Sequence, residues 1–356
     1  MALSKFNKCF FPIRVLVATV LMGAMLVACG PEATQTGKFT YGGEALGTGY
    51  GIIFYGPTPS EFSENPEAMQ MAIDSTFEVI NQSMSTYWPD SDISKINRGD
   101  TTIQVDAMFR EVFEESAYVY SATGGYFDPT VGVLVNAWGF GPEGTLSMDS
   151  TRVDSLLQYV GFDKVELLSD GTVRMNPPGL RFDFNAIAKG YAIDRLATLL
   201  ESRGVENYLV EVGGEVRVRG NHPEDGSPWR IGIDDPQAEG TRSIKKTVAL
   251  ADIAMASSGN YRKFRIDSLT GEKFVHTIDP LSGYTRNSNV LAVSVLAPTC
   301  MRADAFATAG MAMDLETTKG LLADHADLEG YIIYLDSTGT TREYMTRGFL
   351  KRVETD

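Results

Sequence analysis

The chain contains little cysteine and little histidine. Of its 356 residues, only three are cysteine and three are histidine. The cysteines, at positions 9, 29 and 300, do not form the closely spaced pairs of a structural zinc site. A Walker phosphate loop, a His-Glu-x-x-His motif and a Gly-x-Ser-x-Gly nucleophile elbow are also absent. These absences argue against a P-loop nucleotidase, a zincin and a serine hydrolase.

Positive charge is also in short supply. The sequence has 31 Lys and Arg residues against 46 Asp and Glu residues, which gives a net charge of −15 at pH 7. Such a surface repels polyanions, so nucleic acid is excluded as a partner. A ligand that carries phosphate would need a local source of positive charge, either a metal ion or a few well-placed cations.

The first 28 residues are typical of a signal peptide. Lys5, Lys8 and Arg14 precede the apolar run VLVATVLMGAMLVA, which is too short and too early for a spanning helix of a mature protein. The run ends in the lipobox pattern Leu-Val-Ala-Cys, in which Cys29 is lipidated and becomes the new N-terminus. We therefore predict a lipid-anchored protein of the bacterial cell envelope. The alternative is an ordinary signal peptide followed by an accidental cysteine.

The rest of the chain is predicted to be one domain. We assign residues 1–28 to the signal peptide, 29–38 to the lipidated cysteine and a flexible tether, and 39–356 to a single domain. The cleaved chain has 28 basic and 46 acidic residues, a net charge of −18. Cys300 would then have no partner for an internal disulfide, so the domain depends on its apolar core.

Hydrophobic periodicity predicts a mixed fold. Helical spacing is found at 66–84, 106–122, 149–160, 188–203 and 300–313; strand patterns are found at 39–56, 208–220, 229–236, 290–298 and 331–345. Strands and helices alternate without a βαβ rhythm. We therefore predict the α+β class, with largely antiparallel sheets packed against helices.

The stretch CMRADAFATAG, residues 300–310, holds two polar side chains in a segment otherwise suited to close packing. Asp304 and Thr308 are four residues apart, so they share one face of a helix. A carboxylate and a hydroxyl are hard ligands that suit Mg²⁺. The alternative is structural: Asp304 bonded to a neighbouring loop, and Thr308 bonded to a carbonyl of its own helix.

The stretch FDFNAIAKGYAIDRLATLL, residues 182–200, begins a helix with a lysine in its first turn. Lys189 opposes the usual charge preference at a helix N-terminus unless an anion is bound there. Asp183 and Asn185 precede it. The alternative is a solvated Lys189 with Asn185 as the N-cap.

Two glycine- or aromatic-rich stretches and one histidine complete the candidates. TGGYFDPTVGVLVNAWGFGPEG, residues 123–144, is predicted to be a rigid irregular loop, and STYWPDSDISKIN, residues 85–97, is a second aromatic loop. Aromatic side chains on such loops stack on planar ligands or plug a core edge. His276 precedes an Asp-Pro turn in FVHTIDPLSGY, which makes it an acid/base candidate or a structural residue.

Together these stretches resemble the ApbE-type flavin transferases, a family of FAD:protein FMN transferases often found as bacterial lipoproteins. The matching runs also include Leu46-Gly47-Thr48, NYLVEVGGEVRVRG, SSGNYRKF and APTCMRADAFATA. They follow the family's order and spacing over nearly all of the mature chain. The resemblance implies an ApbE-like fold with FAD bound in a cleft between subdomains. It also implies transfer of FMN from FAD to a Ser or Thr hydroxyl of an acceptor protein, with release of AMP.

The resemblance also implies a ligand set. Mg²⁺ would bind Asp304, Thr308 and the backbone oxygen of Ala186. FAD, the substrate, would contact Leu46, Tyr87, Tyr126, Phe127, Asp128, Asp183, Lys189 and Ile278. Lys189 and His276 are the catalytic candidates, Lys189 for phosphate charge and His276 for a proton or for phosphate positioning. Two positions depart from the common pattern, with Leu46 in place of Met and Ala186 in place of Gly or Ser.

Expected partners are acceptor proteins with a flavinylation motif, such as subunits of extracytoplasmic electron-transfer complexes, and the membrane through the lipid anchor. Two alternatives remain open at the level of sequence. One is a metal-dependent FAD pyrophosphatase that yields FMN and AMP. The other is a non-catalytic flavin-binding lipoprotein, which would not need a metal pair.

Overall fold

The structure, a computed structural model, describes residues 35–58, 60–238, 243–260, 264–266 and 273–354. The predicted signal peptide and Cys29 lie outside these residues. Helices of the described ranges are α1 (Glu61–Glu64), α2 (Pro66–Met84), α3 (Asp92–Asn97), α4 (Ala107–Ala122), α5 (Gly132–Ala137), α6 (Ser150–Leu157), α7 (Ala188–Ser202), α8 (Cys300–Ala312), α9 (Leu315–Asp324) and α10 (Arg347–Leu350). None of these helices has the length and apolar character needed to cross a bilayer.

The strands form one large sheet and three small ribbons. They are β1 (Gln35–Ala45), β2 (Thr48–Thr58), β3 (Val165–Leu167), β4 (Val173–Met175), β5 (Asn207–Val212), β6 (Glu215–Arg219), β7 (Trp229–Asp234), β8 (Ile244–Leu250), β9 (Ile253–Gly259), β10 (Phe264–Ile266), β11 (Lys273–Val275), β12 (Val290–Ala297), β13 (Glu329–Leu335) and β14 (Thr341–Met345). The sheet has the order β1-β2-β5-β6-β9-β12-β13-β14, and every neighbouring pair is antiparallel. The prediction of an α+β fold with antiparallel sheets is therefore confirmed.

Both faces of the sheet are covered, and β12 shows how. Val293 and Val295 face the main core, formed with α2, α4, α7 and α8, whereas Leu296 faces a second core beneath the β7–β8 ribbon. Successive side chains of a strand point to opposite faces. A strand buried on both faces therefore has the nearly continuous apolar sequence seen at 290–298.

Most predicted elements are confirmed, and four details are corrected. The stretch 85–97, predicted to be a loop, is a loop only as far as Ser91, which caps α3. The helix predicted at 149–160 ends at Leu157, with Asp149 as its N-cap. The stretch 123–144 is not wholly irregular, because it contains α5. Strand β1 begins at Gln35, so it takes in residues 35–38, which were predicted to belong to the flexible tether.

Candidate functional site

Helix α8, which carries Asp304 and Thr308, is held at its N-terminus by a buried carboxylate of α7. Asp194 accepts hydrogen bonds from the amides of Cys300 at 3.0 Å and Met301 at 2.9 Å. It also pairs with Arg217 of β6 at 2.7 Å. A carboxylate at a helix N-terminus satisfies free amides and complements the helix dipole. Helix α8 is thus fixed to both α7 and the sheet.

Helices α7 and α8 approach closely at Gly190. A Cβ atom at this position would lie 2.3 Å from the carbonyl oxygen of Cys300. Only glycine permits this separation, which brings the first turn of α7 against α8. The Lys-Gly pair at 189–190 therefore has a packing role as well as a charge.

Asp304 is buried in this junction, with 2% of its surface exposed. Its Oδ2 accepts a hydrogen bond from the Gly190 amide at 3.2 Å and lies 3.6 Å from the Lys189 ammonium. Its Oδ1 makes no hydrogen bond to any residue in the described ranges. Burial, with a smaller contribution from Glu215, raises the pKa of Asp304 to about 7 against the lowering effect of Lys189.

The ammonium of Lys189 has a second partner, which the sequence did not indicate. Glu215 on β6 accepts a hydrogen bond from Lys189 at 2.8 Å through Oε1. Burial alone would lower the pKa of Lys189. The negative charges of Asp304 and Glu215 outweigh this effect, so the pKa of Lys189 is raised. Glu215 is 5% exposed, and its Oε2 is buried without a hydrogen-bond partner among the described residues. A buried, unpaired carboxylate oxygen is uncommon and costly.

The remaining atoms of the predicted metal set fit a hard cation. The Gly190 amide bonds to Asp304, and within the described part of the chain the Ala186 carbonyl accepts no hydrogen bond. Thr308 Oγ1 lies 3.3 Å from Ser258 Oγ on β9, so Thr308 does not bond back to its own helix. A carboxylate oxygen, a carbonyl and a hydroxyl are the donors that Mg²⁺ prefers. Among the described residues no three His, Cys, Asp or Glu side chains form a metal cluster, so a cation here would depend on this mixed set.

Two hairpin turns lie side by side near Glu215. Leu46 and Gly47 join β1 to β2 with φ values of +50° and +73°, the left-handed conformation of a two-residue hairpin turn. In the neighbouring β5–β6 turn, the Gly213 amide donates to the Gly49 carbonyl at 3.0 Å. The left-handed conformation is sterically unfavourable for a leucine, and such strain is concentrated at functional positions in proteins.

Asp183 lies at the entry to α7, and its charge acts on Tyr87. Asp183 is buried, and its Oδ1 accepts from the Asn185 amide at 2.8 Å. Tyr87 is 58% exposed, and its pKa is raised by partial burial and by the charge of Asp183. Asn185 is not the N-cap of α7, because that position is Ile187 and no side chain caps the helix. Two first-turn amides of α7 find partners elsewhere: Ala188 donates to the Phe184 carbonyl at 2.8 Å, and Gly190 donates to Asp304.

The three residues 126–128 differ in exposure. The Phe127 ring is buried in the main core. Asp128 accepts hydrogen bonds from Thr130 at 2.6 Å and from the Phe162 amide at 3.2 Å, and burial raises its pKa to about 6. Tyr126 is half-buried. The Phe127 and Asp128 side chains therefore hold the loop, and any ligand contact from them is left to their backbone atoms.

His276 and Ile278 precede the predicted Asp-Pro turn. Ile278 is buried in a third apolar cluster with Trp138, which places its loop against the glycine-rich stretch 123–144. Asp279 closes the turn by accepting hydrogen bonds from the Leu281 amide at 2.9 Å and the Ser282 hydroxyl at 2.8 Å. His276 is half-buried between β11 and this turn. The structure thus joins Lys189 to both Asp304 and Glu215. Tyr87 is linked to Asp183 through the effect of its charge, and His276 and Ile278 stand on a separate loop.

Comparison with known proteins gives a consistent result over almost the whole chain. The model of the ApbE family matches residues 46–332. An FAD:protein FMN transferase of Haemophilus influenzae is 33% identical over 347 residues, which cover 95% of this chain and 97% of the relative. One from Vibrio cholerae is 33% identical and covers 91% and 95%.

Solved structures agree with this result. The flavin transferase ApbE from Vibrio cholerae matches with a TM-score of 0.77 and 31% identity, over 90% of this chain and 99% of that one. The ApbE protein from Thermotoga maritima matches with a TM-score of 0.77 and 26% identity, over 90% and 100%. The similarity therefore extends through the sheet, both helices of the site and the hairpin turns.

Proposed function

This chain belongs to the ApbE family, and we propose that it is an FAD:protein FMN transferase that uses Mg²⁺ to move FMN from FAD to a Ser or Thr hydroxyl of an acceptor protein. The observation that carries the proposal is the junction of α7 and α8. There a buried carboxylate lies 3.6 Å from a lysine, with a hydroxyl one helical turn away on α8 and an open carbonyl in the turn that precedes α7. No nucleophile of the chain itself is needed for this transfer.

Mg²⁺ would be held by Asp304, Thr308 and the Ala186 carbonyl. When bound, the ion supplies positive charge to the phosphate oxygens of FAD. Lys189, in the first turn of α7 and 3.6 Å from Asp304, adds a second positive charge. The net charge of −15 over the whole chain is then no obstacle, because the positive charge is local.

In the reaction, the acceptor oxygen forms a bond to the flavin-side phosphorus, and the bond from that phosphorus to the AMP oxygen breaks. The hydroxyl proton must leave as the new bond forms. His276 is the candidate to take this proton or to position the phosphate. AMP leaves with the charge of the broken bond, and we assign the stabilisation of that charge to Lys189.

For FAD, we propose contacts from Leu46 in its strained turn, the exposed Tyr87, the buried Asp183 and Ile278, and the 126–128 segment. For the protein in the cell, we propose lipidation at Cys29 and a location on the extracytoplasmic side of a membrane. An enzyme anchored there is close to acceptor subunits of extracytoplasmic electron-transfer complexes.

The purified mature chain should be incubated with FAD and Mg²⁺, with and without an acceptor fragment that carries a flavinylation threonine. The expected result is release of AMP together with an acceptor heavier by one FMN. Free FMN and AMP with an unmodified acceptor would instead identify a pyrophosphatase. FAD that is bound and never cleaved would identify a carrier and contradict the proposal.

A further inference from the structure

Glu215 is the feature of this site that the proposed chemistry does not use. Its carboxylate is 5% exposed, with one oxygen on Lys189 and the other buried without a partner among the described residues. Both oxygens of a buried carboxylate normally find donors. The open Oε2 therefore indicates that Glu215 meets a further donor in some state of the site.

The position of Glu215 is fixed by the backbone around it. It is the first residue of β6, directly after the Gly213-Gly214 turn, and it pairs with Val212 across the hairpin. A Cβ atom on Gly213 would lie 3.4 Å from Glu215 Oε2 and 3.0 Å from the Thr48 methyl group, so the two hairpin turns enclose the carboxylate. Because Glu215 cannot move far, the mobile member of the pair is the long side chain of Lys189.

Lys189 and a metal ion compete for Asp304. The ammonium lies 3.6 Å from Asp304 Oδ2, close enough to oppose a divalent cation on the same carboxylate. An ammonium has three N–H donors, of which Glu215 Oε1 takes one. If a cation displaces the ammonium from Asp304, the donor released can bond to Glu215 Oε2. The buried orphan oxygen then has a partner.

We propose that Glu215 is a positioning residue that draws Lys189 away from Asp304, so that a divalent cation and the ammonium occupy the site together. This inference rests on the proposed function, because it takes Asp304 to be a metal ligand. Glu215 acts here through Lys189 and does not bind the metal.

The test measures binding of Mn²⁺ alone, as a probe for Mg²⁺, to the purified chain without FAD. In Glu215→Gln, Asp304 is the one ion-pair partner left to Lys189 among the described residues. We expect Mn²⁺ affinity to fall about 10- to 100-fold, the range found when residues around metal ligands are changed. Lys189→Met removes the competing cation, so it should raise the affinity. In the double variant, the glutamate substitution should have little further effect relative to Lys189→Met.

Glu211→Gln is the matched control, because it makes the same charge change on the same hairpin. Glu211 accepts from the Gly214 amide, a bond that glutamine also accepts, and we expect unchanged Mn²⁺ affinity. An equal loss from Glu215→Gln in both backgrounds would mean that Glu215 acts on the metal directly and would overturn the inference. Unchanged affinity in Glu215→Gln would also overturn it. Failure of the unsubstituted chain to bind Mn²⁺ would instead reject the metal site itself, and the inference with it.

Discussion

Asp194 and Asp304 are both buried carboxylates at the junction of α7 and α8, yet their bonding differs. Both oxygens of Asp194 are used, by two amides of α8 and by Arg217. Asp304 uses one oxygen, and the other has no hydrogen bond among the residues that the structure describes. A fully satisfied buried network rigidifies a fold, whereas an open one is retained at a cost in stability. The comparison therefore separates a carboxylate that builds the site from one that binds within it.

The largest effect is expected for Asp304→Asn. Asparagine keeps the shape and can still accept the Gly190 amide, but it cannot neutralise a divalent cation. A catalytic metal contributes several kcal/mol to transition-state charge stabilisation, so AMP release should fall about 10³-fold. The unfolding midpoint should stay the same or rise, because a buried carboxylate with a raised pKa is removed.

Asp324→Asn on the exposed end of α9 is the control for this variant, and it should retain full activity. Activity of Asp304→Asn close to that of the parent chain would show that Asp304 is not a metal ligand. A large loss of stability would show that Asp304, like Asp194, is structural.

Asp194→Asn should show the reverse pattern. The substitution leaves Arg217 without its closest partner and weakens the hold on the first turn of α8. Breaking a buried ion pair by removing one partner costs about 3 kcal/mol or more, which urea unfolding would measure. Turnover per folded molecule should fall less than in Asp304→Asn. A variant as stable as the parent, with activity lost, would contradict the assignment of Asp194 to the fold.

The sequence alone predicts local parts of this comparison well. Helix α2 has the predicted bounds 66–84, because Asn65 caps it, Pro66 starts it, and one apolar face repeats every three to four residues. The shared face of Asp304 and Thr308 follows in the same way from their spacing. Each of these predictions depends only on neighbours along the chain.

Contacts between distant segments could not be predicted in this way. Asp194 bonds to an amide 106 residues away, and Lys189 meets Glu215 across 26 residues and a change from helix to strand. Nothing in either local pattern favours these partners over others. The closest sequence feature is the Gly213-Gly214 pair, because a two-residue turn there makes Glu215 the first residue of the next strand. The pair indicates a hairpin, but it does not indicate that Glu215 bonds to Lys189.

A smaller effect is expected for FAD binding by Lys189→Met. Methionine keeps the apolar stem and removes the charge. Hydrogen bonds to charged groups contribute about 1.5–3 kcal/mol, so the Kd for FAD without metal should rise about 10- to 100-fold. Flavin fluorescence titration would measure it, with Lys245→Met, which removes a half-buried pair to Asp235, as the control. Unchanged affinity would reduce the first turn of α7 to a structural role.

The smallest expected effect is the pH dependence of the open carboxylate. Burial raises the pKa of Asp304 to about 7, above an unfolded value near 3.9. Between these values the folded chain holds a proton that the unfolded chain has lost, so this group's contribution to stability falls as pH rises toward 7. Metal binding requires the ionised form. Without FAD, Mn²⁺ affinity should therefore fall about tenfold from pH 8 to pH 6 as the ionised fraction drops.

Thermal unfolding with and without Mn²⁺ at both pH values would separate these two consequences. The metal-free chain should lose stability between pH 6 and pH 8 through this group, and Asp304→Asn should abolish that part of the slope. Added metal should stabilise the parent chain more at pH 8 than at pH 6. If affinity were the same at both values, Lys189 would hold Asp304 ionised throughout. The open carboxylate would then be as fully paired as Asp194, and the contrast between them would no longer hold.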